Sequence, residues 1–403
     1  MPIKDDPETC EQLHHPLGPT PQQQFGTGQS AVGSRQSGKI EDWSMELTLG
    51  KLAFRQTVFR YGADMCWTPM ILAKEFNRNE FARDSDLTIS TTHPQPPTIV
   101  QFGANVPLEL ARASSLAAPF VAGVDLNCGC PQSWACAETL GAALMDRREL
   151  VRDMVVETRE RLRVDGWGVR LEEDVENPRG RSVSVKIRVH DDLRTMDFLD
   201  TVIGHDQARH VDWITIHPRT RHTPSTTPIF TDALEILTQK YAPTLPILLS
   251  GDVFDLSALP IRPPPPPPPP PPGYQHDGAC PPAQTASHLP PRPSATPLHL
   301  SGFMSARGLL ANPALYAGFP ACPWEALETF LCRLVRAPLP FKLALHHVQQ
   351  MTSPGMGPDK TALLSKKERA ELNALGNMFD LVDFLDRVVE QRTGRVGGMR
   401  RDL

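Results

Sequence analysis

Seven short apolar runs alternate with amphipathic stretches, and each run ends in polar or reactive side chains; this pattern predicts an α/β chain folded as a (β/α)8 TIM barrel. Runs this continuously apolar read as parallel strands covered by helices on the outside. They are 63–70 (ADMCWTPM), 98–104 (TIVQFGA), 123–129 (GVDLNCG), 182–189 (SVSVKIRV), 211–218 (VDWITIHP), 245–252 (LPILLSGD) and 301–308 (SGFMSARG). An eighth strand, expected before Lys51, completes the count. Thr68, Gln101, Asn127 with Cys130, Lys186 with Arg188, His217 with Arg219, and Asp252 lie at run ends, so a barrel gathers them on its C-terminal face.

Along the chain, residues 1–41 are rich in Pro, Gln, Gly and Ser, lack apolar periodicity, and read as a disordered tail. The barrel is expected over 42–316, with insertions at 166–181 and 254–300. A helix follows Lys51, with Leu52, Phe54, Val58 and Phe59 near one face. Further amphipathic stretches lie at 140–163 and 230–241. From 317 to 390 the pattern is all-helical: WEALETFLCRLVR, FKLALHHVQQM and KKERAELNALGNMFDLVDFLDRVVEQ. In the last of these, Leu372, Leu375, Met378 and Phe379 keep helical spacing, as do Leu381, Phe384, Leu385 and Val388. Residues 391–403 read as a flexible basic tail.

Proline numbers 42 of 403 residues, about twice the usual ~5% share, and the excess sits outside the strand pattern. Ten consecutive prolines at 263–272 predict a polyproline II rod. Such a rod suits an SH3- or WW-type partner; a tolerated surface loop or a translated intron is the competing reading.

The net charge of −5 excludes binding to nucleic acid through bulk positive charge, though not through a local basic groove. No window approaches the roughly 18 apolar residues of a membrane span, so no membrane association is expected. The first residues lack a basic start followed by an apolar run, so no secretory signal is expected. Eight cysteines without a CxxC pair are too sparse for a disulfide scaffold, and a reducing cytosolic or nuclear compartment fits.

The stretch GVDLNCGCPQSWACAETLGAAL carries the most chemistry. Cys128, Cys130 and Cys136 do not have structural zinc spacing, and no metal site is expected. A buried inert thiol and a thiol that moves a proton at a substrate both remain open for Cys130. Lys186 and Arg188 share one side of their strand. An internal ion pair with a carboxylate such as Asp125 and a cation beside an electron-rich ring are the two readings of Lys186. His217 and Arg219 repeat the spacing on the next strand. Gly251 with Asp252, and Ala306, Arg307 and Gly308 opening a helix, lie where barrels bind phosphate. Neither GxGxxG nor a Walker motif is present, so a mononucleotide-type phosphate is implied, with FMN the natural ligand.

DLNCGCPQ, VSVKIRVHDD, ITIHPRT and SARGLLANPALYAGF, in this order at these strand ends, resemble the tRNA-dihydrouridine synthases. The form of these motifs looks most like the eukaryotic branch acting on D-loop positions 20a and 20b. The resemblance implies an FMN-binding barrel followed by a helical tRNA-contacting domain. It implies reduction of the C5–C6 bond of a uridine in tRNA, with NADPH, or NADH, as hydride donor. Cys130 would then be the catalytic proton donor to C5. Gln101, Lys186 and His217 would contact the flavin, with Gly251, Asp252, Ala306 and Arg307 on its phosphate side. Asn127, Arg188 and Arg219 would lie on the uridine side. Thiols are mostly protonated at neutral pH, which suits an acid.

The chain departs from the family pattern in four places, one being the proline-rich segment that replaces most of the helix between the seventh and eighth strands. Ser44, Met45 and Glu46 replace an Ala-Pro-Met strand, Ser250 replaces Asn, and Thr139–Leu140 replaces Gly-Tyr. Two rival readings follow: a free-pyrimidine FMN oxidoreductase on the same barrel, and a catalytically impaired remnant or proline-rich interaction protein.

Overall fold

The computed structural model describes residues 45–46, 51–90, 96–169, 179–204, 209–256, 259, 299–395 and 399. The expected tail at 1–41, the proline run 263–272, most of the 254–300 insertion and the middle of the 166–181 insertion lie outside them. The described residues fall within one compact unit, 39–403.

Each of the eight predicted runs forms a strand, and all the ladders are parallel. The path is β1 (Met45–Glu46), β2 (Met65–Trp67), β4 (Thr98–Gly103), β5 (Gly123–Cys128), β6 (Ser182–Arg188), β7 (Trp213–His217), β8 (Ile247–Ser250) and β9 (Gly302–Met304). A short β3 (Ile71–Leu72) adds to β4 off this path. β9 comes back beside β1, which curls the sheet into a barrel. The altered first strand forms: Met45 pairs with Met65 and Glu46 with Cys66.

Strand side chains alternate between two environments, and this sorts the residues. Val100, Phe102, Val124, Leu126, Val185, Ile187, Ile214, Ile216 and Leu249 belong to the large core under the surrounding helices. The alternate positions face the barrel axis. Met65, Trp67, Ile99, Trp213, Leu248 and Met304 form a separate apolar cluster there. One step further along the strands come Gln101, Asp125, Ser184 and Thr215, and further still Asn127, Lys186, Arg188, His217 and Ser250. The barrel axis therefore passes from apolar to polar toward the C-terminal face. Residues inside such barrels are usually branched apolar ones, so a polar upper layer is where function departs from packing.

Outside the sheet, α1 (Leu52–Arg60) buries Leu52, Phe54 and Val58. Phe59, expected near that face, is instead exposed. Residues 141–146 form a 3-10 turn before the long α6 (Arg148–Val164), and α8 (Thr231–Tyr241) matches the predicted 230–241 stretch. The C-terminal helices α10 (Trp324–Arg336) and α11 (Phe341–Thr352) follow the predicted pattern closely. The last predicted helix divides into α12 (Lys366–Asn373) and α13 (Met378–Thr393). Asn377 is the reason: its Oδ1 accepts the Asp380 N–H at 3.0 Å and starts a new helix after Gly376. Phe379, on the resulting first turn, is 84% exposed rather than part of an apolar face.

The helical segment docks on the barrel through α1. Phe54 stacks on His347 at 4.7 Å and meets Phe330 edge-on at 6.1 Å. His347 is 1% exposed and neither ring nitrogen has a hydrogen-bond partner among the described residues. Burial, with a smaller contribution from His346, lowers its pKa to about 4. The unfolded chain then binds a proton that the folded chain refuses between about pH 6.5 and 4. Stability from this group is complete above pH 6.5 and is lost as the pH falls toward 4. His347→Leu is expected to flatten that part of the melting-temperature profile, read by thermal denaturation from pH 7 to 4.5. An unchanged profile would contradict the assignment.

Candidate active site

Register brings the site residues together before any side chain is considered. Gln101 lies opposite Asp125, Asn127 opposite Lys186, Lys186 opposite Thr215, and Arg188 opposite His217. Four neighbouring strands thus present polar groups at the same end of the barrel.

A hydrogen-bonded network fixes one half of the site. Gln101 Nε2 donates to Asp125 Oδ2 at 2.7 Å, Asn127 Nδ2 donates to Gln101 Oε1 at 2.7 Å, and Ser184 Oγ donates to Asp125 Oδ1 at 2.6 Å. Thr68 Oγ1 accepts the Gln101 backbone N–H at 3.0 Å. Burial raises the Asp125 carboxyl to about 6, against the opposing pull of Ser184, Gln101 and the Lys186 charge.

Asn127 also builds the turn that carries Cys130. Its Oδ1 accepts the N–H groups of Gly129 at 2.9 Å and Cys130 at 2.8 Å, a side chain standing in for backbone in a tight turn. Arg188 braces the same turn, donating from Nε to the Gly129 carbonyl at 2.8 Å and from Nη1 to the Thr220 carbonyl at 2.7 Å. The Cys130 carbonyl accepts the Ala142 N–H at 2.8 Å. Gly141, at φ +57°, passes so close that a Cβ there would stand 2.7 Å from the Cys130 Cβ. The thiol itself is only partly buried, at the mouth of the barrel. The neighbouring Cys128 is fully buried, and burial raises its thiol well above the ordinary range. Cys128 is thus the buried thiol of the cluster, while Cys130 and Cys136 are partly exposed.

Thr139 sits in the same loop with φ +56°. A β-branched residue there is strained by roughly 1–3 kcal/mol. This is the position where the resemblance expects Gly, so the backbone keeps the conformation although the residue has changed.

Lys186 is 7% exposed, and among the described residues no hydrogen-bond or ion-pair partner meets its amine. Asp125, the carboxylate weighed as a partner, is committed to Gln101 and Ser184. Burial first, then the Arg188 charge, lowers Lys186 to about 8, while Asp125 and Cys130 oppose this. Opposite it, Thr215 Oγ1 is buried with no partner among the described residues. An unpartnered amine beside an unpartnered hydroxyl is a donor set waiting for a polar ligand. Sequence reading missed Thr215, although its period-two relation to His217 places it on the inner face.

The linkage sign follows from the lowered pKa: between about pH 8 and 10.5 the unfolded chain binds more protons at this site, so stability rises with pH. Below pH 8 the folded protein carries a buried charge that Asp125 offsets only in part. Lys186→Met is therefore expected to melt higher than wild type at pH 7, with the gap closing above pH 10, while binding of an electron-rich ligand is lost. Melting curves at the two pH values check this. A lower melting point for the variant at pH 7 would contradict it.

His217 is held by Arg219. Arg219 Nη1 donates to His217 Nε2 at 3.0 Å, so Nε2 is the acceptor and Nδ1 carries the proton of a neutral ring. Burial, then the charges of Lys186, Arg188, Arg219 and Arg307, lowers the ring to about 2. Arg219, 1% exposed, also donates from Nη2 to both Asp252 oxygens at 2.6 Å and from Nε to the Thr227 carbonyl at 2.6 Å. Its donors are turned on the protein, so in this structure Arg219 positions His217 and Asp252. Asp252, at φ +54°, further accepts the Ile229 N–H at 3.1 Å. Arg307 opens α9 (Arg307–Ala311), its guanidinium 5.3 Å from the Phe254 ring centroid, and Ala306 immediately precedes it.

The arrangement combines a partly exposed thiol on a braced turn, a buried cation with no direct ion pair among the described residues and a neutral imidazole, all at the open end of a parallel barrel. Residues 43–260 match the family model described as dihydrouridine synthase. The chain belongs to the dihydrouridine synthase family. Over 339 residues it is 34% identical to a Mus musculus protein named tRNA-dihydrouridine(20a/20b) synthase [NAD(P)+]-like, covering 83% of this chain and 84% of that protein. It is 33% identical over 351 residues to the Saccharomyces cerevisiae tRNA-dihydrouridine(20a/20b) synthase [NAD(P)+], covering 86% and 79%. To a Mus musculus tRNA-dihydrouridine(16/17) synthase-like protein the identity is 26% over 299 residues, covering 74% of this chain and 52% of that protein. The strand-end residues of the motifs read from the sequence, Asn127, Lys186, Arg188 and His217, lie at the C-terminal end of the sheet, whereas Tyr316 and Phe319 at the end of the last motif pack against Gly62 and Tyr61.

Proposed function

We propose that this protein reduces the C5–C6 double bond of a uridine in the tRNA D-loop, at positions 20a and 20b, with electrons from NAD(P)H. The observation that carries this reading is the partly exposed Cys130 thiol, on a turn fixed by Asn127 and Arg188 at the same end of the barrel as the buried Lys186. The interior fits FMN: the amine of Lys186 and the hydroxyl of Thr215 lack partners, and Gln101 and neutral His217 stand beside them. Gly251, Asp252, Ala306 and Arg307 would hold the phosphate side. When bound, FMN supplies the hydride transfer between NAD(P)H and uridine C6.

The residues of this chain do the rest. Lys186 stabilises negative charge on the electron-rich ring that it faces. The Sγ–H bond of Cys130 breaks as its proton passes to C5, and the thiolate takes a proton back from water. Uridine, NAD(P)H and one proton become dihydrouridine and NAD(P)+. Asn127 keeps one amide hydrogen and Arg188 its Nη2 for the uridine. The base must leave its stack to reach the mouth, which calls for RNA-backbone contacts, and Lys366 and Lys367 are exposed on α12 for that purpose.

The test is an absorbance spectrum of the purified protein, followed by incubation with unmodified tRNA and NADPH. Bound flavin and a two-hydrogen mass gain at 20a or 20b are expected. Flavin-loaded protein that leaves tRNA unchanged but reduces free UMP would replace this reading with the small-molecule one.

A further inference from the structure

The loop that carries Cys130 holds a second group with no role in the chemistry so far. Immediately after the cysteine turn comes α5 (Ser133–Ala137), on the C-terminal face because it leaves the end of β5. Its inward contact is made by Ala135, which is fully buried. Trp134, the preceding residue, is 48% exposed. A single exposed aromatic residue is ordinary on a protein surface, and three further facts set this one apart.

First, the ring is held in place. Trp134 Nε1 donates to Gln132 Oε1 at 2.7 Å. Second, Cys130 Sγ lies 3.8 Å from the same oxygen, so the indole and the thiol share one acceptor and lie within two hydrogen-bond lengths of each other. Third, the Cys130 turn is fixed by Asn127 and Arg188, and α5 follows it directly, with the Cys136 N–H donating to the Gln132 carbonyl at 3.0 Å, so the two groups lie on one short ordered segment. A large apolar face, anchored by its one polar atom beside the reacting thiol and open to solvent, matches what an unstacked nucleobase needs.

We infer that Trp134 is a substrate-binding residue: it stacks on a base of the RNA strand that delivers the uridine to Cys130, and Gln132 positions it. This rests on the reading of the site as a tRNA uridine reductase. A uridine drawn out of its stack leaves its neighbours without a stacking face, and the indole replaces the lost one. Stacking of this kind is tolerant of base identity. The residue therefore secures the strand at the mouth, while the identity of the target is read inside the barrel.

The test compares Trp134→Ala and Trp134→Phe with wild type in the full-length, flavin-loaded protein. Affinity for unmodified tRNA is measured by fluorescence anisotropy over a range of salt concentrations, with thermal melting alongside. Trp134→Ala is expected to weaken tRNA binding about 5- to 100-fold. The slope of log affinity against log salt is expected to stay unchanged, because no phosphate contact is lost. Trp134→Phe, which keeps a stacking face without the anchor, is expected to recover most of the affinity. Equal affinity for wild type and the alanine variant would overturn the inference, as would a loss accompanied by a shallower salt slope. So would a phenylalanine variant as weak as the alanine one. Because the readout is binding, a wild type that binds tRNA without forming dihydrouridine would sink the proposed activity and leave this inference to be judged on its own result.

Discussion

Replacing Cys130 with alanine is expected to lower dihydrouridine formation by about 10²- to 10⁴-fold while leaving bound flavin and thermal stability close to wild type. The turn that presents the thiol depends on backbone groups and on neighbours. Asn127 accepts the N–H groups of residues 129 and 130, Arg188 holds the Gly129 carbonyl, and Ala142 holds the Cys130 carbonyl. None of these contacts needs the sulfur. The variant therefore removes the proton donor and nothing that shapes the pocket, so the loss should fall on the rate with saturating tRNA. Single-turnover reduction of tRNA by pre-reduced enzyme measures this directly. A variant within a few-fold of wild type would move the proton to another donor and end the role assigned here.

The second large effect is expected from Gly251→Ala, a change of one methyl group. Gly251 adopts φ +99°, a conformation that side-chain-bearing residues rarely hold, at a cost of roughly 1–3 kcal/mol. The added Cβ would also stand 2.6 Å from Cδ2 and 2.8 Å from Nε2 of His217. Nε2 is the atom that Arg219 holds, and Arg219 in turn holds Asp252 at residue 252, next to the glycine. Displacing the imidazole thus pulls on a buried arginine and its carboxylate together. The expected result is a protein of lower melting temperature that copurifies with little or no flavin. Full flavin content with an unchanged melting point would mean that the His217–Arg219–Asp252 arrangement tolerates movement and does not define the cofactor side of the site.

Much of the fold was legible because burial leaves a trace in the residue order. Val100, Phe102, Val124, Leu126, Val185 and Ile187 face the helices at every second position, and the runs containing them were readable as parallel strands. The helices at 324–336 and 341–352 were legible for the corresponding reason, a 3.6-residue apolar stripe. The division at Gly376–Asn377 was not, since Leu375 and Met378 continue the helical spacing across it. A local competitor, the Asn377 side chain taking the Asp380 N–H, prevailed over periodicity there.

Within the candidate site, the residues of the family motifs were readable as reactive types at strand ends. Their partners were not. Lys186 had two readings, and the choice turned on whether Asp125 was free to pair with it. Asp125 is engaged by Gln101 and Ser184, from strands on either side of its own. The bond from Arg219 to Asp252, 33 positions away along the chain, could not be read from spacing. Thr215, inside ITIHPRT but of no reactive type by itself, and Trp134, just past DLNCGCPQ, gain their meaning from position alone.

The sequence by itself determined the eight strands of the barrel path, their parallel order, the cysteine-bearing turn and the basic pairs, because each follows from spacing along one strand or one turn. Tertiary structure alone decided which charges are neutralised and which groups are left open. Hydrogen-bond donors and acceptors are satisfied across strands, and a buried amine, hydroxyl or imidazole acquires its protonation state only from the neighbours that folding brings within a few ångströms.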